Sequence, residues 1–413
     1  MSHTSHPLLH ILQSDPTAAL DLSEAGWQRV LDQATRHGVG PVVFKRLKYL
    51  DLESAPPPAV WTSLRDQYAA SAARNLGIAG ELNRILRRLH SARVPVMVMK
   101  GAHLSQAVYQ DLALRTMNDI DLLVHPQDLA AAEQELLQAG YQHFSDPAWY
   151  EAHHFHYVMR RQSFQVELHW DVQTPDDPFQ IDVEAVWRRA CSTSLCGVSV
   201  QVFSPEDLLA YLPIQVAYQH PFDYFPLRNL QDIAQVANLG ASKIDWSLVV
   251  ELARAWRAEN PAYLSFRLAQ DLLGAAIPET ALQGLKPEPF DPQLLDWAAE
   301  RIFTEGKHAE NLYLKPRMSS RFKVVATSQG VRARLAAFAA TCFPARATIA
   351  EMYDLPVHSA WIFPHYLLRL KDLAARNLRT SWLLLRRDPG MLAWTELEVK
   401  RIALVDWMLS PRR

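Results

Sequence analysis

The chain has 413 residues, with 42 Lys and Arg against 44 Asp and Glu for a formal charge of -2, 49% hydrophobic residues, 14 glycines, 26 prolines and three cysteines. That is enough apolar side chain for sizeable cores and enough length for two to three domains, which excludes disordered, collagen-like and disulfide-scaffold classes. No run approaches the ~20 uncharged apolar residues of a membrane span, the N-terminus lacks a basic segment leading into an apolar core, and Cys191, Cys196 and Cys342 are too few and irregular for a disulfide framework or zinc knuckle, so the chain reads as a soluble cytoplasmic protein.

Residues 8–92 read as mostly helical. ALDLSEAGWQRVLDQATRHG brings Leu20, Leu22, Trp27, Val30 and Leu31 to helical spacing, with Gly38 and Gly40 as stops, and GELNRILRRLHSAR continues the pattern. A helical module is expected over 1–93. VPVMVMK, residues 94–100, is short, apolar and ends at Gly101, which predicts a buried strand, and AHLSQAVYQ predicts a short helix after it. NDIDLLV, residues 118–124, predicts a second strand with Asp119, Asp121 and Leu123 on one face and Ile120, Leu122 and Val124 on the other.

Pro126, the spacing of Leu129, Leu136 and Leu137, and Gly140 as terminator mark a helix over 126–139. HHFHYVM and FQVELHWDV flank Arg160 to Ser163 as the arms of a hairpin, the second alternating Val166, Leu168 and Trp170 against Glu167, His169 and Asp171. These elements fill a core over 94–204. Helical pattern resumes at the capping sequence SPEDLL from Ser204 and fills 205–310, and 311–413 is helix-rich with prolines at 316, 344, 356, 364, 389 and 411 as breaks. The expected fold class is α+β, a small mixed-sheet core flanked by helical N-terminal and C-terminal modules.

Three carboxylates carry the chemistry. Asp119 and Asp121 share a strand face, and Glu167 lies on the matching face of a later strand, a hard-oxygen set suited to Mg²⁺ with substrate phosphates. Two ions at such a site activate a hydroxyl and stabilise a leaving pyrophosphate in an in-line displacement. An Asp-x-Asp triplet alone is weak evidence, since a solvated strand edge looks the same. Here it sits in an apolar strand, after another that ends in Lys100-Gly101, where glycine lets the backbone approach a phosphate and a helix N-terminus favours an anion.

VMVMKGAHLSQAVY, LRTMNDIDLLVHPQDLAAAEQELLQAGY and VELHWDV together resemble the uncharacterised nucleotidyltransferase family of the polymerase-β-type nucleotidyltransferase superfamily, specifically over 94–172 and more weakly through RNLQDIAQVANLG and IDWSLVVELARAW. The resemblance implies a nucleotidyltransferase core over 94–204, Asp119, Asp121 and Glu167 as catalytic metal ligands, and Gly101 as the glycine of the phosphate-binding turn. It implies an NTP substrate, Mg²⁺ or Mn²⁺, and transfer of a nucleoside monophosphate to an acceptor hydroxyl or phosphate, with Glu167 as the candidate base. The family's small hydroxyl residue after the glycine is Ala102 here, which removes one expected hydrogen bond to phosphate, and Lys100 is expected to compensate.

Arg115 and Asn118 precede the metal strand and either touch phosphate or orient Asp119, or else fix the loop through a salt bridge or an Asn turn. His169 shares the face of Glu167, and in a tight hairpin His154 and His156 face the same cleft. Zinc is weighed against imidazoles that support a ligand or touch substrate, and the latter is preferred because carboxylate oxygens select magnesium. Arg228 and Asp232, four apart on a predicted helix, either form a simple i,i+4 pair, which is preferred, or line the cleft against the nucleotide. Other functions on the same scaffold are a catalytically weak nucleotide- or partner-binding protein and a phosphoryl transferase. The acceptor is open among small molecule, peptide, protein and RNA, since nothing reads base edges.

The stretch YLLRLKDLAARNLRTSWLLLRRD interleaves basic and apolar residues, which suits packing onto neighbouring helices better than a membrane surface. The small net charge conceals unlike parts. Residues 96–172 hold 4 Lys and Arg against 10 Asp and Glu, a charge of -6, whereas 311–413 hold 17 against 7, a charge of +10. The basic module either neutralises the core, contacts triphosphate or binds an anionic acceptor.

Overall fold

A computed structural model of the chain describes residues 6–13, 22–52, 55–174, 177–220, 222, 225–240, 243–303, 343, 346, 349, 361–371, 400 and 403–410. It forms two compact units, Met1–Phe303 with Ala403–Arg413, and Thr304–Ile402. Most of the module expected over 311–413 lies outside the described residues. In the second unit, Ile349 and Ile362 are buried with Tyr366 packed against them, and residues 362–371 are helical.

In the first unit the chain opens with helices α1 (Pro7–Leu12), α2 (Glu24–Arg36), α3 (Gly40–Tyr49) and α4 (Pro58–Ser91). Ser23 caps α2 by accepting from the Gly26 N–H at 3.3 Å, and Trp27, Val30 and Ala34, three and four apart, are buried. The long helix α4 serves both cores of this unit. Val60 and Leu64 join the helical core, whereas Ile78, Leu82, Ile85 and Leu89 pack under the sheet. Glu81 on α4 is almost buried, accepts from the Tyr141 hydroxyl at 2.6 Å and pairs with Arg84, which ties the helix to the sheet layer.

The sheet has seven strands: β1 (Met97–Val98), β2 (Ile120–Leu123), β3 (Gln142–His143), β4 (His156–Arg161), β5 (Phe164–His169), β6 (Cys191–Leu195) and β7 (Val198–Val202), in the order β3-β4-β5-β2-β1-β7-β6. It is mixed. β2 runs parallel to β5 and antiparallel to β1, which in turn is parallel to β7. Helix α5 (Lys100–His103) and a wider turn over Leu104–Val108 follow β1, and α6 (Leu129–Gln138) follows β2 after a tight turn at Pro126–Asp128. Helices α7 (Pro147–His153) and α8 (Val183–Arg189) flank the β4-β5 hairpin in sequence.

Helices α9 (Pro205–Pro213), α10 (Pro226–Ala237), α11 (Trp246–Ala255), α12 (Glu259–Leu273), α13 (Glu279–Leu285) and α14 (Gln293–Phe303) complete the unit. Ser204 caps α9, accepting from the Asp207 N–H at 3.0 Å. Leu404 and Met408 near the chain's end pack into the same helical core. The protein is α+β. No described helix is long and apolar enough to cross a membrane.

Two local differences from the sequence reading have clear causes. The strand expected over 94–100 shortens to Met97–Val98, with the Met99 N–H still donating to the Asp121 carbonyl at 3.1 Å: the Val94 N–H is held by the Leu89 carbonyl at the end of α4, and Lys100, φ 41°, turns the chain straight into α5. The hairpin β6-β7 is absent from the sequence reading. Its two-residue turn, Cys196-Gly197, has φ of 51° and 75°, the pair of positive values of a type I′ turn, and only Gly197 with the alternation of Val198, Val200 and Val202 signals it.

Candidate active site

Strand pairing assembles the site. Asp121 on β2 stands in register with Glu167 on β5, and Leu123 with His169, so period two sends Asp121, Glu167 and His169 to one face. Asp119 lies two residues before Asp121. With Lys100, Gly101, Arg115 and Asn118 they line one cavity of about 380 Å³. Of the residues expected at the site, Ala102 and His154 are not among those lining it. Ala102 is buried in the sheet core with Val98, Met117 and Ile120, facing away from the cavity's lining.

The charges inside are tightly arranged. Lys100 Nζ donates to Asp121 Oδ1 at 3.2 Å, and His169 Nε2 lies 3.2 Å from the same oxygen. Burial alone raises the Asp121 pKa, but the Lys100 ammonium and the His169 contact outweigh it and hold the carboxyl well below its usual range. At Asp119 the charges of Lys100 and Arg115 offset the opposing effects only in part. Burial, then the negative charges of Asp121 and Glu167, push it up to about 7. Glu167 is lowered despite burial, chiefly through His169, and Lys100 is raised by Asp121 despite its own burial. Burial, followed by the nearby His169, brings His156 down to about 3, so this imidazole is neutral.

The histidines divide. In the antiparallel register His156 pairs with His169, with ring centroids 4.7 Å apart, and its Nε2 is 3.9 Å from Glu167 Oε2. His154 is not among the cavity-lining residues, and its ring packs beside Tyr150 and His156. It lies before the paired stretch of β4, where strand alternation no longer directs it to the cleft.

Arg115 reaches the cavity wall, but its guanidinium is taken by Asp232 of α10. Nε and Nη2 donate to the two carboxylate oxygens at 3.0 and 2.9 Å, with both side chains nearly buried, and the Tyr109 hydroxyl donates to Asp232 Oδ1 at 2.8 Å. The simple Arg228–Asp232 pair expected from helical spacing gives way to this longer-range one. Arg228 instead donates to the Thr116 carbonyl at 3.2 Å and lies over the Phe225 ring. From α4, Asn75 donates to the carbonyls of Leu112 and Arg115, the former by a very short contact. The loop that delivers Asn118 and Asp119 is therefore pinned from two sides.

Gly101 is required by that arrangement. A Cβ there would meet Arg115 Nη1 at 2.6 Å and Met117 at 3.3 Å. Gln215 and Gln219 also line the cavity, joined Nε2 to Oε1 at 2.6 Å, and the sequence reading misses both, since only their spacing of four marks them.

The donor set suits a divalent cation. Asp119, Asp121 and Glu167 are carboxylates crowded enough to lift Asp119 toward neutrality, and added positive charge relieves that crowding.

Residues 23–274 match the model of a family described as uncharacterised nucleotidyltransferase. The match covers more than half of the chain, and the protein belongs to that family of nucleotidyltransferases. Among solved structures, the antibiotic-resistance factor ANT(2'')-Ia is similar at 15% identity and a TM-score of 0.32, with 47% of this chain and 98% of that chain covered. An antigenic nucleotidyltransferase-like protein from Paracoccidioides brasiliensis is similar at 20% identity and a TM-score of 0.33, over 49% of this chain and 95% of the other. No curated protein matches the chain.

Proposed function

We propose that the protein transfers a nucleoside monophosphate from an NTP to an acceptor hydroxyl or phosphate, with Mg²⁺ or Mn²⁺ held by Asp119, Asp121 and Glu167. The observation that carries this reading is the in-register opposition of Asp121 and Glu167 across parallel strands, with Asp119 in the same cavity. A divalent ion bound there supplies positive charge to the triphosphate and to the oxygen that develops charge during displacement.

The acceptor oxygen attacks the α-phosphorus, the bond to the β-phosphate breaks, and pyrophosphate leaves. Glu167, ionised and facing the cavity, takes up the acceptor's proton. Gly101 lets the backbone approach phosphate, Asn118 contacts the bound nucleotide, and Lys100 keeps Asp121 ionised. The Arg115–Asp232 pair holds the loop carrying these groups rather than binding phosphate itself. A cytoplasmic location fits the need for NTP. Small molecule, peptide, protein and RNA acceptors all agree with this site.

Calorimetric titration of the full chain with ATP, GTP, CTP and UTP in Mg²⁺ and in EDTA tests the binding half of the proposal. Binding of at least one NTP that is lost in EDTA is expected. Equal affinity with and without the ion favours a nucleotide-binding protein without transfer activity.

A further inference from the structure

We infer that an ion held at this carboxylate cluster takes imidazole nitrogen from His169 and His156 as well as oxygen, so that the centre selects a first-row transition ion such as Mn²⁺ over Mg²⁺. The inference rests on the metal-dependent reading above and deepens it. Its starting point is a juxtaposition on neighbouring strands. His156 on β4 and His169 on β5 pair directly, and one ligand atom each from His156, Glu167 and His169 lie within 4.8 Å of one another.

The pairwise distances are close to those of a coordination shell. His169 Nε2 is 3.2 Å from Asp121 Oδ1 and 3.6 Å from Glu167 Oε2, and His156 Nε2 is 3.9 Å from that same Glu167 oxygen. Two donors bound side by side to one ion at about 2.1 Å are about 3.0–3.4 Å apart. Each gap therefore needs to close by less than about 1 Å, within reach of side-chain rotation alone.

Orientation points the same way. Glu167 Oε1 accepts from Gln165 at 3.3 Å, which leaves Oε2 turned toward the two imidazoles. Nε2 is the nitrogen that each ring directs at the carboxylates. His169 is fully buried, and Lys100 shares only Asp121 with it, not Glu167. Glu167 Oε2 thus faces two imidazoles, while Lys100 gives its hydrogen bond to Asp121 and acts on Glu167 through charge alone.

Donor chemistry then sets selectivity. Mg²⁺ prefers six oxygens in near-ideal octahedral geometry and gains little from imidazole, whereas first-row transition ions accept mixed nitrogen and oxygen sets with higher affinity. The sequence places these imidazoles beside the metal in preference to a zinc shell, whereas their distances to Glu167 and Asp121 suit a place in the shell itself.

The test uses Mn²⁺ and Mg²⁺ as probes on the full-length protein. Calorimetry gives the affinities, and pulsed electron paramagnetic resonance of bound Mn²⁺ reads ¹⁴N coupling from imidazole independently of any activity. Wild type is expected to bind Mn²⁺ at least about tenfold tighter than Mg²⁺ and to show histidine nitrogen coupling. His169→Gln and His156→Gln are each expected to reduce that coupling and to weaken Mn²⁺ about tenfold or more, with Mg²⁺ little changed. His156→Gln keeps the test informative should the buried His169 position not tolerate glutamine, and circular dichroism reports folding. Mn²⁺ bound without nitrogen coupling, at an affinity unchanged in His156→Gln but lost in Asp119→Ala/Asp121→Ala, overturns this inference and leaves the metal-dependent reading intact. No binding of either ion to wild type overturns both.

Discussion

Asp121 and Glu167 stand opposite each other on β2 and β5, paired in parallel register, and the Lys100 ammonium and the His169 imidazole both meet Asp121 Oδ1, each at 3.2 Å. Those two groups offset the repulsion between the carboxylates, since Lys100 and His169 lower both despite burial. The arrangement is pre-built for positive charge before substrate arrives.

Neutral isosteres at these positions should remove activity while leaving the fold. Asp121→Asn and Glu167→Gln keep shape and lose charge, and each is expected to lower transfer by about 10²–10³-fold or more. Pyrophosphate release at saturating NTP measures this, with circular dichroism as the folding control. Retention of more than about a tenth of wild-type turnover in both variants contradicts the assignment.

The buried Arg115–Asp232 pair is expected to show the asymmetry of desolvated ions. Removing one partner strands the other charge, so Asp232→Leu should cost about 3–5 kcal/mol, and so should Arg115→Met. The double variant should be more stable than either single one, because no unpaired charge remains. Urea unfolding curves decide the matter. Additive losses in the double variant contradict the pairing.

Gly101→Ala tests how tightly the loop is packed. Its Cβ would sit 2.6 Å from a guanidinium nitrogen that Asp232 already fixes, so Arg115 cannot move without breaking that pair. A loss of about 1–3 kcal/mol in thermal or urea unfolding is expected, together with weaker NTP binding in calorimetry. Unchanged affinity with unchanged stability counts against the close approach.

How far the site can be read without coordinates depends on sequence distance. Asp119, Asp121 and Glu167 are legible because strand alternation is a local rule and apolar neighbours such as Ile120, Leu122, Val166 and Leu168 declare which face is buried. Asp232 is visible only as a helical residue four positions from Arg228. Its true partner is 117 residues away, and no periodicity records that contact. Ala102 holds the place after Gly101 where the family carries a hydroxyl residue, and the first turn of α5 presents it to the sheet core, a placement no local pattern records. The β6-β7 hairpin is short and largely polar on one arm, so its strand signal is weak.

A titration remote from the site gives a further prediction. His37 is fully buried at the end of α2, with Nε2 3.1 Å from Gln33 Oε1, and burial followed by Arg36 lowers it to about 3 from 6.5. The unfolded chain therefore binds a proton that the folded one refuses between those values. The stability from keeping His37 neutral is complete above about pH 6.5 and falls as pH drops, by about 1.4 kcal/mol per unit. In urea titrations between pH 7 and 4, His37→Gln should show a shallower decline than wild type. Parallel curves would sink this account of His37.

The central claim is nucleotidyl transfer by the Asp119, Asp121 and Glu167 cluster, and its most direct measurement is transfer of label from α-³²P-labelled NTPs. With Mn²⁺ or Mg²⁺ and a mixture of candidate acceptors from a cell extract, wild type is expected to give labelled product and release one pyrophosphate per transfer, whereas Asp119→Ala/Asp121→Ala gives neither. Equal labelling by both proteins, or release of nucleoside diphosphate in place of pyrophosphate, contradicts it.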